Sequence, residues 1–177
     1  MLLPDLNVVS KLRDYEEGGI DVQNTNAGVQ GYQWVCYLEN NSVYIKRSGL
    51  EPRLVFEQPR VAEISFTFDQ NMRPYFAYVL DDFGLFLRWY DTSVQAYRTD
   101  QFGTGRNPRL TLDDKRLENV INSDVIFAYI KGDSLCYRQQ RDRFQIERVL
   151  ATGIAPELKL KNVGLSRNMR LQFEVVE

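Results

Sequence analysis

Histidine is absent from the 177 residues. That removes the imidazole general base, the Ser-His and Cys-His nucleophile pairs, and histidine ligation of a metal. Cysteine is scarce. Cys36 and Cys136 each lie in an apolar run without a Cys-x-x-Cys partner, so both read as reduced, buried small hydrophobes. There is no zinc spacing, EF-hand loop or Gly-rich phosphate loop, and no metal or cofactor is expected. No sign of charge dominates: 22 Lys and Arg face 24 Asp and Glu, a net charge of −2. Such a chain has no global field to attract DNA or an anionic membrane, and no sequence-specific nucleic-acid partner is expected. No run approaches the ~18 apolar residues of a membrane-spanning helix. The opening "MLLPDLNVVSKLRDY" has no basic stretch before its apolar start, and Pro4 and Asp5 interrupt it. This reads against a secretion signal and for folding in a cytoplasm. Helical periodicity is nearly missing as well; only "LNVVSKLRDY" has the spacing for a turn or two of helix.

What is present is aromatic and repetitive. Phe, Tyr and Trp make up 12% of the chain, a composition that favours strands. Three segments match: "WVCYLENNSVYIKR" (34–47), "YFAYVLDDFGLFLRW" (75–89) and "VIFAYIKGDSLCYRQ" (125–139). Each has an apolar strand with a central tyrosine (Tyr37, Tyr78, Tyr129), a polar turn, and a return strand ending on a cation (Lys46, Arg88, Arg138). Those are the signals of β-hairpins. Between them lie "EISFTFDQNMRP" (63–74), "PRLTLDDKR" (108–116) and "LKLKNVGLSRNMR" (158–170), whose alternation marks strands followed by turns. Asn-Met-Arg occurs in two of these turns, and the expected role of each copy is to hand one repeat to the next. "YFAYV" and "VIFAYI" are apolar on both faces, as expected of strands held between neighbouring sheets.

The expected fold is therefore all-β, with antiparallel blade-like repeats of about four strands that form a small or partial β-propeller. The central tyrosine recurs after 41 and then 51 residues, close to the period of a propeller blade. Residues 1–31 are expected to be an N-terminal arm or clasp and residues 32–177 the repeat domain. "LQFEVV" (171–176) opens a further hairpin and requires a pairing partner. The expected partner lies within the chain, at Ile20–Val22 or residues 32–38, with another chain as the alternative.

Catalytic chemistry is hard to find. The Asp pairs Asp81–Asp82 and Asp113–Asp114 fall where turns favour Asp for its backbone hydrogen bonds. A glycosidase would require them to face each other across one cleft. Lys46, Arg88 and Arg138 evoke a sialidase cation cluster, but the Ser-x-Asp-x-Gly-x-Thr-Trp box is missing. "YRQQRDRFQIER" (137–148) carries four arginines diluted by Asp142 and Glu147, and reads as a solvated strand-turn-strand with interface arginines. The interface candidates are Arg138, Arg141, Arg143, Leu171 and Phe173. No catalytic residue is expected, and the chain reads as a non-enzyme. Trp34 and Trp89 read as packing residues in preference to a ligand platform.

The phrases "FDQNMRP", "LDDKR", "YRQQRDRF" and "SRNMRLQF", taken together, resemble a family of small virion proteins of tailed bacteriophages. The resemblance covers residues 60–174. It implies a structural part of the particle in the tail, neck or baseplate, made in the host bacterial cytoplasm and located in the virion. The implied partners are other virion proteins and further copies of this chain in a symmetric homo-oligomer. It names no active residues. The alternative is a glycan-binding module of a phage receptor-binding appendage, using Tyr and Trp beside the Asp-rich turns.

Overall fold

The computed structural model describes residues 15–25, 28–81, 84–113, 123–165 and 171–177, with side chains from Trp34 onward except Leu165. The first four-stranded antiparallel sheet contains β1 (Tyr15–Thr25), β2 (Gly28–Glu39), β3 (Ser42–Arg47) and β4 (Arg53–Glu57). The second contains β5 (Val61–Phe68), β6 (Pro74–Leu80), β7 (Gly84–Asp91) and β8 (Ala96–Gln101). The third contains β9 (Arg106–Asp113), β10 (Asp124–Lys131), β11 (Ser134–Gln139) and β12 (Arg148–Ala151). A two-stranded fourth sheet pairs β13 (Lys159–Leu165) with β14 (Leu171–Val176). The one helical element among the described residues is a 3-10 turn, Gln140–Asp142. The chain is all-β, and among the described residues the sheets close into neither a barrel nor a ring.

The three hairpins form in a shared register. Tyr37 pairs with Tyr44, Tyr78 with Phe86 and Tyr129 with Cys136. Two residues back, Val35 pairs with Lys46, Phe76 with Arg88 and Phe127 with Arg138. The cation thus holds the same ladder position in all three. The first hairpin turns on Asn40 and Asn41 at φ +50° and +64°, the left-handed pair of a type I′ turn, whose twist matches the flanking strands.

The first Asn-Met-Arg copy is a turn, but inside a sheet. Asp69 Oδ1 accepts the N–H groups of Asn71 at 2.8 Å and Arg73 at 2.9 Å, and Met72 sits at φ +60°. The turn joins β5 to β6, which pair from Phe68–Pro74 through to Val61–Leu80. This corrects the expected role as a loop between repeats: each sheet begins at its alternating strand, because that strand bonds to the hairpin that follows it. The second copy, at 168–170, lies outside the described residues.

Period-2 alternation distributes the apolar residues into three cores. Phe76 and Tyr78 of β6 face Cys36, Val43 and Ile45 of the first sheet, together with Ile64, Phe66 and Phe68. Their neighbours Tyr75 and Ala77 face Leu110, Leu112, Val125, Phe127 and Tyr129 of the third sheet. Ala128 and Ile130 face Leu160 and Val163 of the fourth. Successive sheets therefore pack face to face, which accounts for "YFAYV" and "VIFAYI" being apolar on both sides. Each fully buried aromatic or Leu stabilises by about 1.5–3 kcal/mol over leaving it exposed. Burial fades outward: β9 and β10 are almost wholly buried, while β8 and β12 are mostly exposed.

The first strands of successive sheets lie side by side, β1 by β5, β5 by β9 and β9 by β13. Cross-sheet hydrogen bonds show that β5, β9 and β13 run the same way. Asn107 Nδ2 donates to Glu63 Oε2 at 3.1 Å and Leu110 N–H to Ser65 Oγ at 2.9 Å. Arg106 donates to the carbonyls of Leu158 and Ala155, and Arg109 Nε to that of Lys161 at 2.9 Å.

The N-terminal expectations shift accordingly. The expected division between residues 31 and 32 falls inside β2, and residues 15–25 supply the first strand of the first sheet. Residues 1–14, with most of the expected helical turn, lie outside the described residues. The expected clasp is corrected. Ile20–Val22 pair with Gly31–Gln33, Trp34–Leu38 pair with β3, and β14 pairs with β13. Two residues separate β1 from β2, so pairing them costs far less loop-closure entropy than pairing either with the distant β14.

Candidate functional site

A cleft of about 730 Å³ opens between the first and second sheets. Trp34 of β2 and Arg53 and Leu54 of β4 line one side. Phe68 and Met72 at the β5–β6 turn, Arg88 of β7 and Tyr97 of β8 line the other. The size falls within the ~300–1,000 Å³ of small-ligand and side-chain pockets. Trp34 meets Phe68 edge-on at 5.1 Å between ring centroids. The Arg88 guanidinium lies over the rings of Phe56 at 5.1 Å and Tyr97 at 5.2 Å. Its faces are held by aromatics, which leaves the N–H edge to make hydrogen bonds. Arg88 Nε and Trp34 Nε1 are buried without a hydrogen-bond partner. Leu54 is 52% exposed and Met72 39%, so the rim is apolar. Among the described residues no carboxylate or amide side chain lines the cleft. Burial, with the Asp69 charge adding to it, pushes the Tyr97 phenol up; Arg88 and Arg73 oppose.

Arg138 occupies the position of Arg88 one sheet on, and its environment shows what Arg88 is missing. Its guanidinium lies over Phe102 at 4.8 Å, beside the end of β8, as that of Arg88 lies over Phe56 of β4. Its donors, however, are satisfied within its own sheet. Arg138 Nε donates to the Tyr129 hydroxyl at 2.8 Å, Nη1 to the carbonyls of Phe144 and Gln145, and Nη2 to Glu147 at 3.0 Å. Tyr129 in turn donates to Glu147 at 2.5 Å. Burial pushes the Tyr129 hydroxyl up. Burial also pushes Glu147 up, but hydrogen bonds from Tyr129 and Lys131 and the charges of Lys131 and Arg138 outweigh it and leave the carboxyl below its usual value. These shifts belong to a closed structural network.

The remaining interface candidates sit as follows. Arg141 is about half exposed and pairs with Asp124. Arg143, also about half exposed, reaches Asp91 of the second sheet at 2.5 Å. Leu171 and Phe173 share the half-buried face of β14, where Phe173 packs 6.1 Å from the Tyr137 ring. Thus Arg138 is engaged internally, Arg141 and Arg143 remain at the surface, and Phe173 rests on the third sheet. Lys46 is exposed on the first sheet, so the three register-equivalent cations lie on three separate sheets.

The two described members of the carboxylate pairs, Asp81 and Asp113, do not converge. Asp81 is exposed just beyond the end of β6, whereas Asp113 is buried at the end of β9. Since β9 runs with β5 and β6 runs against it, the two lie at opposite ends of the sheets. Asp82 and Asp114 lie outside the described residues. Among the described residues no three Cys, Asp or Glu side chains gather to hold a metal. Both cysteines are buried and in no disulfide.

Sequence reasoning marked Arg88 as a repeat-equivalent cation and Trp34 as a packing residue, but not the cleft they share. Its lining comes from seven strands and a turn, and no local spacing brings these residues together. A usable signal was the contrast between the repeats: Glu147 follows Arg138, and the residues after Arg88 supply it with no such partner. Trp89 is core, as expected, with Nε1 donating to Asp100 at 2.7 Å. No protein-family model, curated protein or solved structure matches the chain, so the reading of the cleft rests on its own geometry.

Proposed function

We propose that the chain is a non-enzymatic structural component of a tailed bacteriophage virion, in the tail, neck or baseplate, that assembles through interfaces with itself or other virion proteins. In this reading the three four-stranded sheets are successive blades of a partial β-propeller. The observation that carries the assembly reading is the fourth sheet. It has two strands, and the outer edge of β14 has no strand partner among the described residues. Such an edge offers a row of backbone donors and acceptors to a strand from a neighbour. Support for the non-catalytic reading comes from the lack of histidine and the separation of Asp81 from Asp113. Mass spectrometry of purified particles tests the proposal. The chain is expected at a copy number that is a fixed multiple of the tail symmetry, and its absence from purified virions overturns the reading.

A further inference from the structure

The cleft between the first and second sheets lacks an acceptor that the equivalent place one sheet on possesses. Arg138 and Arg88 share a ladder position and a stack on an aromatic of the preceding sheet. Arg138 receives Glu147; Arg88 has a buried Nε without a partner and, among the described residues lining the cleft, no carboxylate. Arg53, exposed on the opposite wall, likewise has no carboxylate in the cleft among the described residues. Among the described residues, other arginines of the second and third sheets have partners: Arg73 pairs with Asp69, Arg98 with Asp91 and Asp100, Arg141 with Asp124, Arg143 with Asp91 and Arg148 with Asp142, and Arg106 and Arg109 donate to backbone carbonyls. Trp34 Nε1 is a second buried donor without a partner in the same cleft.

We propose that this cleft docks an acidic, apolar peptide segment of a partner protein, whose Asp or Glu carboxylate takes the place at Arg88 that Glu147 takes at Arg138. The chemistry of the lining selects that occupant. Two buried donors without acceptors, faced by the exposed Arg53 charge, match a carboxylate, which is acceptor-only and able to bind a guanidinium through two oxygens. The exposed Leu54 and Met72 match flanking apolar side chains, and Arg, Met and aromatic residues together are the composition of protein–protein contact centres. A neutral sugar would bring hydroxyl donors to a cleft whose described lining has no carboxylate or amide to receive them. The inference rests on the assembly reading for its partner class, and adds the chemistry and place of one contact.

A randomised heptapeptide library selected on the immobilised full-length chain tests it. The expected outcome is a consensus with one Asp or Glu flanked by Leu, Ile, Phe, Tyr or Met. Affinity for the consensus peptide should fall about tenfold or more when its acid is replaced by the amide, and by a similar factor on Arg88→Met. Arg53→Gln, at an exposed position that leaves the fold intact, should also weaken binding. Peptide should alter the fluorescence of Trp34, an effect lost in Trp34→Phe. The proposal is overturned by no consensus, by a consensus without an acid, by an acidic consensus indifferent to both arginine variants, or by binding of oligogalacturonate in its place. Absence of the chain from virions would overturn the assembly reading yet leave peptide binding intact, so the two failures are distinguishable.

Discussion

Ser65 Oγ accepts the backbone N–H of Leu110 at 2.9 Å, a buried hydrogen bond from the first strand of one sheet to the first strand of the next. It does for a strand edge what a further strand would do, since β9 bonds to β10 on its other side. Ser65→Ala leaves that buried N–H without an acceptor. The expected cost is about 1–3 kcal/mol, read as a lower urea midpoint with an unchanged slope. A midpoint equal to that of the parent would show that the bond contributes nothing.

Gly84 and Gly132 both hold positive φ, +94° and +59°, but only one is crowded. A Cβ at Gly84 would stand 2.3 Å from the carbonyl oxygen of Gly103, whereas at Gly132 it would meet nothing within 4 Å. Gly132→Ala should cost about 1 kcal/mol, the penalty of left-handed backbone alone. Gly84→Ala should cost clearly more, because the Leu85–Gly103 and Phe102–Leu85 backbone bonds, each 2.8 Å, would have to move. Equal melting temperatures for the two variants would contradict this.

Acid should weaken the joint between the second and third sheets. Hydrogen bonds from Ser93, with those and the charge of Arg143, hold the buried Asp91 carboxyl down at about 2. The folded-state value lies below the unfolded value of about 3.9. The stabilisation is therefore complete above pH 4 or so and is lost as pH falls towards 2. Urea midpoints between pH 7 and pH 2 should drop over that interval. Asp91→Asn should be less stable at pH 7 and flatter through the acid range.

Removing residues 171–177 should destabilise the isolated chain, because β14 covers one flank of Leu160 and Val163. Phe173 and Val175 pack there only partly buried, so the loss should be about 2–4 kcal/mol, below that of fully buried side chains. Phe173→Ala should account for a large share. A truncated chain that melts with the parent would mean that this packing carries no stability.

Cys36 and Cys136 are 0% and 1% exposed, and burial pushes the Cys136 thiol up. Neither should react with Ellman's reagent in the native protein at pH 8, and both should react in guanidinium chloride. Rapid native labelling would show that the surrounding sheets open readily.

The sequence by itself determined the strands and hairpins. The alternation Ile64, Phe66, Phe68, the recurrent Tyr37, Tyr78 and Tyr129, and the two-faced "YFAYV" are local patterns, and hydrogen-bond register with one or two buried faces leaves them no other arrangement. The cations Lys46, Arg88 and Arg138 could be matched for the same reason: each is counted from its own turn. Tertiary structure alone decided which sheet each strand joins, that residues 15–25 are a first strand, and that β14 rests on β13. It also decided the fates of two equivalent arginines, since Glu147 reaches Arg138 through the fold of a loop while Arg88 faces Phe56 and Trp34 from another sheet. Pairing order is set by loop-closure entropy and by which apolar faces meet, and both are sums over residues far apart in the chain. A local pattern carries the period of a strand, but the neighbour across the next sheet is chosen only when all the faces are buried together.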